Sequence, residues 1–201
     1  MKLYAIGKFL LGWSFRLIYG VRVKGKENEP KGEPYIFCAN HTSSNDAIVS
    51  AVCVKSKLHF FAKSDLFKNG FQRALFTELG AMPVERDTAG GSANAIKSSI
   101  KLLGEGKCVA IFPQGRRYKG VDPRTTKIKN GAGMIAFHSK CKVLPVCIQT
   151  RKWHTTFFRR TDITIGKPIT YEEFGFVEGN SEEFEKATEF IFTRITDMIK
   201  D

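Results

Sequence analysis

Apolar and polar positions along this chain switch repeatedly between a strand-like and a helix-like spacing, and the switches set the order of elements. After a first apolar stretch come VRVKG and a polar run ending in Gly-Glu-Pro. Then Tyr35-Ile36-Phe37-Cys38-Ala39 forms an unbroken apolar run between turn residues, the pattern of a buried strand. DAIVSAVCV, from Asp46, has helical length, and LHFFAK, from Leu58, has strand character. SDLFKNGFQRALFTELG returns to a helical pattern, with Phe67, Phe71, Leu75 and Leu79 at four-residue steps. AMPV predicts a short strand, SANAIKSSIKLLGEG a helix closed by Gly106, CVAIFP a strand stopped by proline, GAGMIAFHSK a helix and KVLPVCI a strand. DITIG adds a late strand, and SEEFEKATEFIFTRITDMIK a final helix with Asn180 and Glu183 as N-cap and N3 of a capping box. Strands alternating with helices predict an α/β fold, a mixed and largely parallel sheet flanked by helices.

The first twenty residues need separate treatment. On a helix Lys8, Gly12 and Arg16 fall four residues apart as a narrow basic stripe, while Leu3, Ile6, Leu10, Trp13 and Leu17 occupy another face. Lys8 and Arg16 interrupt any approach to the ~20 apolar residues that a membrane span needs, and no small-residue cleavage site follows. The apolar sector is wider than one packing face requires. Residues 1–20 are therefore expected to form an amphipathic, membrane-associating helix lying in the headgroup layer, rather than a helix packed on the body. Residues 21–201 then form a single domain, since 201 residues with 42% hydrophobic content suit one core.

Charge sharpens the list of partners. The formal net charge is +12, yet the last thirty residues hold 3 of the 32 Lys and Arg and 9 of the 20 Asp and Glu, so the body is basic and the tail acidic. Such a body attracts anions: nucleic acid, anionic lipid headgroups or phosphorylated substrates. The five cysteines (Cys38, Cys53, Cys108, Cys141, Cys147) are odd in number, show no C-x-x-C spacing and lie mostly in apolar runs, which predicts reduced, buried thiols in a cytosolic compartment. The four histidines share no ligand spacing with each other or with cysteines, so no metal is expected.

Three segments at predicted strand ends carry the chemistry, because in open α/β sheets reactive groups gather where strands hand over to helices. In Asn40-His41-Thr42-Ser43-Ser44-Asn45-Asp46, four residues separate His41 from Asp46. On one continuous helix that spacing turns the two about 140° apart, so they meet only if His41 lies in a loop and Asp46 in the first turn of the helix. The carboxylate then fixes the imidazole tautomer and leaves the other nitrogen free as a base. A helix cap at Asn45 or Asp46 with an ordinary loop histidine is the plainer alternative. Gly80-Ala81-Met82-Pro83-Val84-Glu85-Arg86 places an arginine, suited to phosphate by its forked donors, just beyond a strand; a surface ion pair with Glu85 or Asp87 would use it equally well. Ile111-Phe112-Pro113-Gln114-Gly115-Arg116-Arg117 ends a buried strand at proline and glycine. From Arg116 to Lys129 six basic residues, Lys127 among them, face one acid, Asp122. Either this is a solvated loop or it is an anion cradle, to which the amides of the helix opened by Gly131 and Gly133 add donors.

The order NHTSSND, GAMPVER, IFPQGRR and VLPVCI, spanning Tyr35 to Ile148, resembles the glycerolipid acyltransferase family, specifically the 1-acylglycerol-3-phosphate acyltransferases. The resemblance implies a glycerol-3-phosphate acyltransferase-like α/β fold, an acyl-CoA or acyl-carrier-protein donor, lysophosphatidic acid as acceptor and phosphatidic acid as product. It implies His41 as base and Asp46 as its orienting carboxylate. It implies Arg86 as a phosphate ligand, Gly115 with Arg117 as part of the acceptor site and Pro145 as a donor or structural contact; Gln114 in the same motif and Arg116, Lys127 and Lys129 of the basic segment complete the expected substrate-binding set. The expected partners are the substrates and a membrane lipid surface, without nucleic acid and without a bound cofactor or metal. The expected place is the cytoplasmic face of the cell membrane, held peripherally or monotopically. The third motif departs from the family's usual Phe-Pro-Glu-Gly-Thr-Arg-Ser: Gln114 stands for the glutamate, Arg116 for the threonine and Tyr118 for the serine. A more anionic acceptor, another lyso-lipid or a polyol phosphate, fits the added arginine. Three rivals remain at this level. A nucleic-acid-binding protein leaves the His-Asp loop unexplained. A Ser-His-Asp hydrolase using Ser43 or Ser44 lacks a G-x-S-x-G elbow, and a non-catalytic lipid binder has no need of His41 and Asp46.

Overall fold

The computed structural model describes Ser14 and residues 17–78, 80–84, 90–156 and 158–200. Most of the segment expected as a membrane-associating helix, and Arg86 with its neighbours, lie outside these residues. In chain order the elements are β1 (Val21–Lys24), β2 (Tyr35–Ala39), α1 (Asp46–Cys53), β3 (Leu58–Lys63), α2 (Gly70–Glu78), β4 (Ala81–Val84), α3 (Gly91–Gly104), β5 (Cys108–Ile111), α4 (Gly131–Ser139), β6 (Lys142–Thr150), β7 (Thr161–Ile165) and α5 (Ser181–Thr196). They build the expected α/β architecture around a seven-stranded sheet of order β1-β7-β6-β2-β5-β3-β4. Among the pairings of these seven strands only β6–β7 is antiparallel, so β1 and β7 run against the other five strands.

β2 lies near the middle of the sheet, between β6 and β5, and all five of its residues are buried. Successive side chains of a strand point to opposite faces, so β2 feeds two cores. Tyr35, Phe37 and Ala39 join Val49 and Cys53 of α1, together with Leu58, Phe60, Leu144 and Val146, on one face. Ile36 and Cys38 join Ala132, Ile135 and Ala136 of α4 and Ile191 and Ile195 of α5 on the other. Each fully buried large apolar side chain contributes about 1.5–3 kcal/mol, so β2 is anchored on both faces. Gly133 lets α4 and α5 approach closely: a Cβ there would sit 2.2 Å from the Phe184 carbonyl oxygen. The Gly133 amide donates to Thr188 Oγ1 at 2.9 Å, so it adds nothing to an anion cradle.

Three local expectations are corrected. The helical run from Ser64 to Gly80 is broken: Ser64–Phe67 forms a 3-10 turn and α2 begins at Gly70, where Asn69 and Gly70 interrupt helix propensity. Phe67 thus packs from the turn, its ring 6.0 Å from Phe76, rather than from the helix stripe. At α5, Asn180 Oδ1 accepts from the Glu183 amide at 3.0 Å, as a capping box requires. The Glu183 carboxylate, however, reaches past Asn180 to the amides of Gly179 (2.8 Å) and Glu178 (3.1 Å). KVLPVCI runs on to Thr150, because Gln149 and Thr150 pair with Asp162 and Thr161 of β7. The five cysteines are free; four are buried and Cys141 is half-buried, and burial pushes the Cys147 thiol up to about 12.

Candidate active site

Where β2 ends, Asn40 fixes the exit of the chain. Its side chain is fully buried; Nδ2 donates to the Ile148 carbonyl at 2.9 Å and Oδ1 accepts from the Ile148 amide at 2.8 Å. The asparagine acts as a short extra rung to β6, so the next residue, His41, leaves the sheet at a set point. His41 lies in a loop and Asp46 is the first residue of α1, the arrangement their spacing demands. His41 Nδ1 is 2.9 Å from Asp46 Oδ2. The same oxygen accepts from the amides of Thr42 (2.6 Å) and Ser43 (2.7 Å), which folds the loop around the carboxylate. Asp46 has no exposed surface, and its Oδ1 finds no partner among the described residues. A carboxylate accepting at Nδ1 keeps the proton on that nitrogen, so Nε2 presents a lone pair.

The third segment clamps the histidine. Its ring stacks on Phe112, with centroids 4.2 Å apart and planes 18° from parallel. The His41 amide donates to Gln114 Oε1 at 2.5 Å, and its carbonyl accepts from the Tyr118 amide at 2.9 Å. Gln114 Nε2 donates to Thr126 Oγ1 at 2.6 Å. Gln114 is only 2% exposed, so this residue, grouped with the substrate ligands by sequence, is turned inward with both ends of its amide engaged. Two further bonds tie the loop to its surroundings: Arg117 Nη1 donates to Ser44 Oγ, and Thr155 Oγ1 to Ser43 Oγ.

A cavity of about 450 Å³ opens beside the dyad. His41, Gly115, Arg116 and Lys129 line it, together with apolar side chains that include Phe60, Phe61, Ile96, Ile111 and Ile135. Gly115 has φ +67°, and a Cβ there would come within 2.9 Å of Lys129 Cδ; glycine lets the lysine stem lie across the loop. The Arg116 guanidinium sits 4.7 Å over the Tyr118 ring, a cation–π contact that holds its exposed side chain. Asn130, Gly131 and Ala132 at the start of α4 and Ser92 and Ser99 of α3 also line it.

The structure therefore brings His41, Asp46, Gly115, Arg116 and Lys129 together and holds Gln114 behind them. Arg117 is exposed and bonded to Ser44; Lys127 is exposed and does not line the cavity. Arg86 lies outside the described residues. Pro145 sits within β6 in register with Cys38 and its carbonyl accepts from the Gly166 amide at 2.8 Å, a structural place in the sheet. Sequence reading did not single out Asn40 or Phe112, although both flank residues it had marked, nor Thr126 and Thr155, which come from distant segments.

Comparisons with known proteins address the family and the fold. The family described as Acyltransferase matches residues 20–149. The 1-acyl-sn-glycerol-3-phosphate acyltransferase of Bacillus subtilis is 31% identical over 89% of this chain and 88% of its own length. Its counterpart in Borreliella burgdorferi is 29% identical over 63% of this chain, which spans half of that relative. Among solved structures, the 1-acyl-sn-glycerophosphate acyltransferase PlsC of Thermotoga maritima superposes with a TM-score of 0.72 at 25% identity, over 98% of this chain and 76% of that one. The four ordered motifs, the fold and these relatives converge: the chain belongs to the glycerolipid acyltransferase family, the family of the 1-acylglycerol-3-phosphate acyltransferases.

Proposed function

We propose that this enzyme transfers a fatty acyl group from a thioester, acyl-CoA or acyl-carrier protein, to the sn-2 hydroxyl of 1-acylglycerol-3-phosphate, giving phosphatidic acid. The observation that carries the reading is the buried His41–Asp46 pair at 2.9 Å, its ring lining a largely apolar cavity rimmed by cations. Nε2 takes the proton of the acceptor hydroxyl as the oxygen attacks the thioester carbonyl. The tetrahedral oxyanion collapses, the C–S bond breaks, and the imidazolium returns the proton to the departing thiolate. Asp46 stabilises the imidazolium during the interval. Phe112 and the two backbone bonds of His41 keep the ring in place, which limits the reorganisation that the step requires.

The apolar lining suits an acyl chain, and about 450 Å³ falls within the usual size of small-molecule sites, about 300–1,000 Å³. Arg116 and Lys129 are the proposed phosphate ligands. Arg86 carries the same proposal from its motif alone, and Lys127 contributes field rather than contact. Gln114, proposed by sequence to touch the acceptor, is better suited to hold the His41 backbone. The reaction balances with no bound cofactor or metal. The substrates come from a bilayer, so we further propose a peripheral or monotopic place on the cytoplasmic face of the membrane. No helix among the described residues is long and apolar enough to cross a membrane, and residues 1–20 carry the proposed interfacial helix. One observation favours a second acceptor within the same reaction class: Arg116, where the family places threonine, adds a cation to the cavity and fits a more anionic lyso-lipid or polyol phosphate.

The test is direct. Purified protein is given lysophosphatidic acid and palmitoyl-CoA, and thiol release and lipid product are followed for wild type and His41→Ala. Phosphatidic acid from wild type alone supports the proposal. Thiol release without an acylated lipid contradicts it in favour of a hydrolase, and transfer only to another lyso-lipid moves the assignment to the second acceptor.

A further inference from the structure

The connection from β6 to β7, residues 151–160, is absorbed neither by the fold nor by the chemistry above. It holds four cations, Arg151, Lys152, Arg159 and Arg160, and no carboxylate. β6 runs parallel to β2 and continues beyond it, so this connection leaves the sheet at the end that carries His41. It is tied to the catalytic loop by the bond from Thr155 Oγ1 to Ser43 Oγ, and to the chain entering β1 by the Phe158 amide, which donates to the Ile18 carbonyl at 2.6 Å. Beside that bond stand two exposed apolar side chains, Phe158 at 86% and Leu17 at 60%.

One exposed phenylalanine alone means little, since apolar atoms make up much of any protein surface. Here the backbone adds a second observation. Phe158 has φ +56° and Trp153 φ +50°, a left-handed conformation that bulky L residues adopt rarely and at an energetic cost. The Phe158 amide bond to Ile18 offsets part of that cost, whereas its ring, turned almost wholly away from the body, offsets little of it. The third observation is electrostatic. Behind the loop a groove of about 620 Å³ is walled by Arg22, Lys24, Arg124 and Lys200 in addition to Arg151 and Arg160. Its two carboxylates, Asp122 and Asp162, are already paired with Arg124 and Arg160. An apolar tip ringed by cations, with a basic groove behind it, matches the layering of an anionic bilayer: acyl chains, then phosphates.

We propose that residues 151–160, with Leu17, form a docking surface for anionic phospholipid membrane. Phe158 and Leu17 enter the acyl boundary, Arg151, Lys152 and Arg159 meet headgroup phosphates, and the Thr155–Ser43 bond fixes the orientation of the His41 loop toward the bilayer. Apart from Leu17, which it shares with the first twenty residues, this surface is separate from them and acts beside them. It rests on the reading of the enzyme as one that draws a lipid substrate from a membrane.

The experiment uses the full chain, phosphatidylcholine vesicles with and without phosphatidylglycerol, and lysophosphatidic acid supplied either in those vesicles or in detergent micelles. Phe158→Asp is expected to lower the vesicle partition coefficient about tenfold or more, and Phe158→Trp to restore it. The pair Lys152→Ala and Arg159→Ala is expected to lower partition about fivefold per charge on vesicles with phosphatidylglycerol and to leave partition onto phosphatidylcholine alone unchanged. Every variant is expected to keep the wild-type melting temperature and wild-type transfer in micelles, while Phe158→Asp and the Lys152/Arg159 pair lose transfer on vesicles with phosphatidylglycerol and Phe158→Trp retains it. Phe158→Asp that partitions like wild type overturns the proposal. So does a variant set that binds vesicles normally yet raises KM for acyl-carrier protein over acyl-CoA, which would assign the surface to an acidic protein. Failure of wild type to transfer in micelles would sink the acyltransfer reading instead, while the partition measurements still decide the surface.

Discussion

Helix α1 is held by a buried carboxylate at each end, and the two carboxylates are used differently. At its N-terminus Asp46 binds two loop amides and the imidazole of His41 through a single oxygen, leaving the other without a partner among the described residues. Beyond its C-terminus Glu29 gathers the turn at Lys55 and Ser56. Its carboxylate accepts from both amides (2.7–2.9 Å), from the Ser56 hydroxyl (2.8 Å) and from the Tyr35 phenol (3.1 Å). Burial alone would raise the Glu29 carboxyl, but these donors outweigh it and hold the group below the usual carboxylate range. Burial pushes the Tyr35 phenol up, and Glu29 beside it adds to the shift. All the donors to Glu29 are backbone amides or hydroxyls that stay neutral at physiological pH, so the C-terminal end is a staple. The N-terminal end includes an imidazole, a side chain that can take up and give back a proton, and that ring lines the cavity. Saturation by such neutral donors suits a structural carboxylate; a partner that can exchange a proton beside a cavity suits the chemical role proposed for Asp46.

Substitutions can break or sharpen this contrast. His41→Ala is expected to lower kcat/KM by on the order of 10² to 10⁴, with the melting temperature little changed; an equal loss of both would mean that the histidine serves packing. Glu29→Ala is expected to do the reverse, costing about 3 kcal/mol in urea unfolding because four donors lose a buried charged acceptor, with transfer by the folded protein unaffected. The pH dependence follows the same group. Because the folded protein holds the Glu29 carboxyl lower than the unfolded chain does, its contribution is complete above the ordinary carboxylate range and is lost as pH falls through the lowered value. Wild type is therefore expected to lose stability more steeply than Glu29→Gln on acidification, as read from urea midpoints across a pH series. Asn40→Ala joins the two effects, with about 2 kcal/mol of stability lost from the Ile148 rung and kcat reduced more than KM is raised. Ser44→Ala, which removes only the Arg117 contact at an exposed position, is expected to stay within about 0.5 kcal/mol of wild type.

Much of this was legible in the sequence because the sheet strands are short apolar runs bounded by turn residues, and because His41 and Asp46 fall at a spacing only a loop-to-helix junction satisfies. The α/β order, the buried β2 and the place of the histidine follow from local pattern. What escaped depends on contacts far along the chain. Asn40 meets Ile148, Gln114 meets both His41 and Thr126, and Ser43 meets Thr155; no periodicity reports such pairs. Gln114 is instructive. Its polar amide beside two arginines invites a ligand role, yet burial of that amide required two protein partners and found them. Gly133 was read for its amide and matters for its missing Cβ. The helix break at Asn69 and Gly70 was visible as residue types but was overridden by the four-residue apolar spacing around it.

The most direct test sets Asp46→Asn against Glu29→Gln in one assay, measuring acyl transfer from palmitoyl-CoA to lysophosphatidic acid and the melting curve of each protein. The account predicts that Asp46→Asn stays folded and loses on the order of 10² in rate, whereas Glu29→Gln melts earlier and transfers at the wild-type rate while folded. A folded Asp46→Asn protein with full activity would contradict the dyad and leave His41 without its proposed role.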